Sequence, residues 1–143
     1  MFQTTKQRGN LAEKVAMTFL KKRGYVVISR NYQFRGGEID IISFDPKRQE
    51  IAFQEVRSRW LGEEEDFYNP LFTTPEDSVN SVKLRKIEKT AWRFLEKESS
   101  IWEPYFRDIA PYAFPDWRID LLSVTVLQRA RKIKIKHYKY ITI

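Results

Sequence analysis

The segment Gly37-Glu38-Ile39-Asp40-Ile41-Ile42 constrains the fold more than any other stretch of this 143-residue chain. Apolar residues sit at both parities around a single aspartate, the pattern of a strand covered on both faces. Such a strand needs a layer above and a layer below, which points to an α/β architecture. An aspartate in its middle is costly unless it is paired, hydrogen-bonded or bound to a metal. Turn chemistry follows in Asp45-Pro46-Lys47-Arg48-Gln49, and a further strand runs from Glu50 to Arg57. Side chains alternate with period two, so Glu55 and Arg57 share a face. A two-residue or a four-residue loop also puts Asp40 and Glu55 on one face, directly or diagonally opposed. Two carboxylates so close repel each other unless a divalent cation lies between them.

The remaining elements fit around that hairpin. From Thr5 to Lys22, Leu11, Val15, Phe19 and Ala12, Ala16, Leu20 recur at helical spacing, and Gly24 stops the helix after a basic last turn. Glu13 lies in a row of small and apolar residues, so it is expected to face protein. Tyr25 to Gln33 reads as a strand, turned at Gly36-Gly37. Ser58 to Asp77 reads as a long loop with the acidic run Glu63-Glu64-Glu65-Asp66. A second helix is expected over Ser78–Lys97, with Val79, Val82, Ile87, Ala91, Phe94 and Leu95 inward. Its other faces carry Lys83, Lys86, Lys89 and Arg93. An irregular stretch from Ser99 to Asp116 precedes two strands, Trp117–Leu127 and Lys132–Ile143. The order α-βββ-α-ββ predicts a mixed central sheet flanked by helices, one domain over residues 1–143.

Composition narrows the chemistry. There is no cysteine and a single histidine, His137, which excludes thiolate metal sites, disulfides and a His-rich metal centre. Catalysis is left to carboxylates, Lys, Arg, Tyr and oxygen-ligated metals such as Mg²⁺ or Mn²⁺. Twenty-six Lys and Arg against 19 Asp and Glu give a net charge of +7, which favours polyanionic partners, nucleic acid first. No apolar run approaches the roughly 18 residues of a membrane span, and the opening MFQTTKQRGN lacks the apolar core of a signal peptide. The expected setting is cytoplasmic. His137 reads as a packed, hydrogen-bonded residue and Asp120 as a paired strand residue.

These residues together resemble the YraN-like family of uncharacterised bacterial proteins, itself similar to restriction-endonuclease-like nucleases and Holliday junction resolvases. The resemblance runs through Gly9, Ala12-Glu13 and Ala16, then Gly24-Tyr25 and Arg30-Asn31, and Gly37 to Ile42. It continues in Phe53, Glu55-Val56 and Arg59, in Val79, Lys83, Lys86-Ile87 and Ala91, and in Arg118-Ile119-Asp120. It implies a restriction-endonuclease-like domain and metal-assisted phosphodiester hydrolysis. Asp40 and Glu55 would hold Mg²⁺ or Mn²⁺, with Glu13 as a third carboxylate. Arg57 stands where such nucleases usually have lysine, and arginine cannot act as a general base. Lys83, Lys86, Lys89 and Arg93 are the expected nucleic-acid contacts, with DNA ahead of RNA and no membrane association. A homodimer is expected by analogy with the resolvases. Two other readings stand beside the nuclease: a nucleic-acid-binding module with impaired catalysis, and a structural or partner-binding protein.

Overall fold

The computed structural model describes residues 4–63, 79–106 and 114–142. Helix α1 (Thr5–Lys22) leads into β1 (Val26–Phe34), β2 (Gly37–Asp45) and β3 (Glu50–Leu61). Helix α2 (Ser81–Lys97), a short α3 (Ser99–Trp102) and a one-turn 3-10 helix (Glu103–Tyr105) precede β4 (Asp116–Leu127) and β5 (Lys132–Tyr138). The five strands form one sheet in the order β1-β2-β3-β4-β5. Strands β3 and β4 run parallel and the other neighbours antiparallel. This is the mixed α/β architecture the sequence predicts, with α3 added.

Each face of the sheet carries one long helix. A capping box starts α1: the Gln7 amide donates to Thr4 Oγ1 at 3.1 Å and the Thr4 amide to Gln7 Oε1 at 2.8 Å. Ala16, Met17 and Leu20 of α1 then pack on Ile41 and Leu122. On the other face Leu84, Ile87, Ala91, Phe94 and Leu95 of α2 close over Ile42, Phe44, Ile51 and Phe53. Val82, expected on the inner side of α2, is 58% exposed. It lies two residues, about 200° round the helix, from the buried Leu84.

Two turns set the registers that position the site. Arg35 and Gly36 both have positive φ, 44° and 79°, so they form the two-residue turn between β1 and β2. The turn therefore falls one residue earlier than the sequence predicts, and Gly37 begins β2. A Cβ at Gly37 would lie 2.1 Å from Thr90 Oγ1, because α2 docks directly on the start of β2. The Pro46–Gln49 loop has four residues, with Asp45 facing Glu50, and Asp45 Oδ1 accepts the Lys47 amide at 3.1 Å.

Beyond shifts of one residue, four expected boundaries move, the first being α2, which starts at Ser81 behind its Asn80 cap rather than at Ser78. Strand β3 runs on to Leu61 rather than ending at Arg57, because β4 supplies a parallel partner as far as Leu61–Leu127. The expected irregular stretch after Ser99 opens with α3, whose Trp102 is buried and donates its ring N–H to the Leu95 carbonyl at 3.0 Å. Strand β5 stops at Tyr138 instead of Ile143. Tyr140 takes a positive φ of 58°, and its amide donates to Asp120 Oδ1 at 3.2 Å, which carries Ile141 towards the α2-side core. Of the acidic run Glu63–Asp66, residues 64–66 lie outside the described residues. No helix among the described residues is long and apolar enough to cross a membrane.

Candidate functional site

Ladder pairing between β2 and β3 ends at Ile41–Gln54, and the next opposed positions are Asp40 and Glu55. Beyond that point β3 stays with β4, whereas β2 stays with β1. Where the strands part, the Val56 amide donates to Asp40 Oδ2 at 2.8 Å. The carboxylate thus stands in for the backbone acceptor that the diverging strand no longer offers, and its position is fixed by the sheet.

Glu55 is buried, 5% exposed, and two cations converge on it. Arg57 Nε lies 3.2 Å from Glu55 Oε1, and Lys83 Nζ of α2 lies 3.8 Å from the same oxygen. The Arg57 contact is one of charge alone. Among the described residues the Arg57 Nε is buried without a hydrogen-bond partner. Burial, with the charge of Asp40 next, pushes the Glu55 carboxyl up to about 7, against the pull of Lys83 and Arg57. Asp40 is also raised, chiefly by burial, although the Val56 amide opposes this.

Glu13 of α1 approaches the same end of β2. Burial, then the charges of Asp40 and Glu38, raise its carboxyl, and its Oε1 is buried without a hydrogen-bond partner. Even so, no three His, Asp or Glu side chains among the described residues close into a group able to hold a metal. The structure brings Asp40, Glu55 and Arg57 together, with Glu13 near Asp40.

The four basic residues of α2 lie within about 120° of one another round the helix but meet different surroundings. Lys86 and Lys89 are exposed, and Lys83 turns to the carboxylates. Arg93 lies over the Phe34 ring, 4.4 Å from its centroid. Lys83 is the site member that sequence reasoning placed elsewhere. One signal for it exists: it sits in the first turn of α2, its amide bonded to the Asn80 cap at 3.0 Å. A cation there opposes the helix macrodipole, so an acidic neighbour is needed to offset it.

A second polar cluster lies at the other end of the hairpin. Arg118 Nε bonds both oxygens of Asp120, at 3.0 and 3.2 Å, and His137 Nε2 lies 2.8 Å from Asp120 Oδ2. Asp120 is thus the paired strand residue, and His137 the packed, hydrogen-bonded one, that the sequence predicts.

A protein-family profile described as uncharacterised protein family UPF0102 matches residues 12–124, most of the chain. The chain belongs to the UPF0102 family. It is similar to a UPF0102 protein of Clostridium tetani, 39% identical over 116 residues, covering 80% of this chain and 86% of the relative. It is also 32% identical over 134 residues to a UPF0102 protein of Desulforamulus reducens, covering 94% and 93% of the two chains. The UPF0102 match spans Glu13, Asp40, Glu55, Arg57 and Lys83, and ends within β4.

The raised Glu55 carboxyl has a consequence for stability. A folded-state value of about 7 against an ordinary 4.5 means that Glu55 favours folding most below about pH 4.5. That contribution fades as pH rises through the window to about 7. At pH 8 Glu55→Gln is therefore expected to be more stable than the wild type, by on the order of 2 kcal/mol. Denaturant unfolding at several pH values checks this: the gap should close as pH falls towards 4.5. A gap that stayed constant with pH would trace to packing rather than charge.

Proposed function

We propose that this UPF0102 protein is a metal-dependent nuclease that hydrolyses phosphodiester bonds in DNA, on a restriction-endonuclease-like scaffold. The observation that carries the reading is the buried pair Asp40 and Glu55 at the point where β2 and β3 part, both carboxyls raised and two cations turned towards Glu55. Two carboxylates suit Mg²⁺, which commonly takes one or two from the protein and fills its other positions with water and substrate phosphate. The orphaned Glu13 Oε1 adds negative potential near Asp40. A bound Mg²⁺ or Mn²⁺ would polarise the scissile phosphate and lower the pKa of the attacking water.

The chain's own residues supply the rest. The guanidinium of Arg57, about a third exposed, can grip a phosphate oxygen and stabilise charge that develops on it. Lys83 presents a compact ammonium beside the carboxylates, a point charge where Arg57 offers a planar fork. The lysine function that Arg57 lacks thus comes from α2. The exposed Lys86 and Lys89 stand on the same helix, placed to meet flanking phosphates.

One observation favours a second reading. Arg57 and Lys83 already satisfy Glu55 as ion pairs, which is also what a module that binds nucleic acid without cutting it needs. Calorimetric titration with Mn²⁺, paired with incubation on branched, flapped and linear DNA, separates the two. The nuclease reading expects Mn²⁺ binding and cleavage, both lost in Asp40→Ala. Binding of DNA without cleavage of any substrate favours the module. No divalent binding even with DNA present overturns the metal site.

A further inference from the structure

A pocket of about 500 Å³ opens at the far end of the hairpin, between the C-terminus of α1, the Pro46–Gln49 turn and β5. That volume is within the range of small-molecule sites. Asp45, at its wall, is five residues from Asp40, about 17 Å along β2 at the rise of a strand. The two sites are therefore separate.

Its lining is strongly basic. Arg23, Lys47, Arg48 and Lys139 face it, together with His137. Among the described residues the only carboxylate in the lining, Asp45, is already bound to Arg118 at 2.9 Å and to the turn amides of Lys47 and Arg48. Among the described residues Lys47 and Lys139 have no acidic partner. Four cations round one concavity give it a potential that favours an anion. The arginines are also held in place: Arg23 lies 4.3 Å from the Phe19 ring centroid, and Arg48 Nη1 donates to the Tyr140 hydroxyl at 2.9 Å. His137 is fixed by the fully buried Asp120 at 2.8 Å and by contacts with the Phe19 and Tyr25 rings. The anchored Arg23, Arg48 and His137 lose little freedom on binding.

We propose that this pocket is an anion site that takes a phosphate group. Its geometry does not depend on metal binding at Asp40 and Glu55, so it stands apart from the nuclease reading. The phosphate has two sources, a free phosphate compound or the 5′-phosphate end of a nucleic acid.

The chain's only histidine makes the test direct, since its ring gives a single set of NMR signals. Inorganic phosphate, titrated into the full chain at constant pH and ionic strength, is expected to shift the His137 ring signals to saturation. In Lys47→Ala/Lys139→Ala, both sites being exposed, the affinity should fall about tenfold or more. In Asp40→Ala it should not change. A 5′-phosphorylated oligonucleotide acting where its 5′-hydroxyl twin does not assigns the site to a nucleic-acid end. Response to phosphate and a nucleoside monophosphate alone assigns it to a free compound. Absence of saturation with every probe, or an unchanged affinity in the double variant, overturns the proposal.

Discussion

Replacing Lys83 by alanine is expected to slow Mg²⁺-dependent DNA cleavage by about a hundred- to a thousand-fold, the usual cost of losing one group that stabilises transition-state charge. Metal affinity should move the other way. Lys83 Nζ lies 3.8 Å from Glu55 Oε1, and its charge lowers the carboxyls of both Glu55 and Asp40. Removing it leaves the pair more repulsive and a divalent cation more welcome, so Mn²⁺ should bind more tightly in calorimetry. A merely structural lysine would not give that opposite pair of effects. Lys83→Arg then distinguishes its roles. Arginine keeps the charge but not the compact ammonium, so rescue of cleavage means charge alone suffices, and failure means the shape of the group matters. Arg57→Lys should change the rate far less, because an ammonium is already present. A large gain in Arg57→Lys with no loss in Lys83→Ala would return the lysine role to β3.

Arg118→Met is expected to destabilise the fold by about 3–5 kcal/mol, the cost of breaking a buried ion pair from one side. The Arg118 side chain is 1% exposed and holds three carboxylates: both oxygens of Asp120, Asp45 at 2.9 Å and Glu50 at 3.0 Å. It also donates to the Tyr25 hydroxyl at 2.9 Å, joining the end of α1 to the sheet. Burial alone would raise the Asp120 carboxyl, but hydrogen bonds from His137 and Arg118 outweigh it and hold it low. Asp45 is likewise lowered, through Arg118. A lowered carboxyl contributes stability above its ordinary value near 3.8 that is lost as pH falls through the folded value. Urea unfolding at pH 7 should therefore show the full deficit in Arg118→Met, narrowing in acid as Asp120 takes up a proton. An undiminished deficit in acid would assign the loss to packing of the arginine stem.

Much of the carboxylate site was legible because it depends on short-range rules. Period-two alternation and an even-numbered loop oblige Asp40 and Glu55 to share a face, and the four-residue loop puts them directly opposite. The row Gly9, Glu13, Ala16 and Leu20 correctly turned Glu13 towards protein, because helical spacing is equally local. Lys83 was legible only as part of a basic helix. Its partner lies 28 residues away, and the docking angle of α2 against Gly37 decides which side chains of that helix meet the sheet. The length of β3 was hidden for a similar reason. Residues 58–61 carry no strand pattern of their own and extend because β4 offers hydrogen bonds beside them.

By itself the sequence determined the element order, the two-sided burial of β2 and the facing of its two acids, all consequences of backbone periodicity and turn length. It also determined the chemistry on offer, since a chain without cysteine and with one histidine has only carboxylates for a hard cation. Tertiary structure decided which charges meet. Tyr25, Asp45, Glu50, Arg118, Asp120 and His137 come from β2, β3, β4, β5 and the link after α1, and form one cluster only when the sheet closes. It likewise gathered Arg23, Lys47, Arg48 and Lys139 round one pocket. Electrostatic pairing acts through space over a few ångströms, so it is set by packing and not by spacing along the chain.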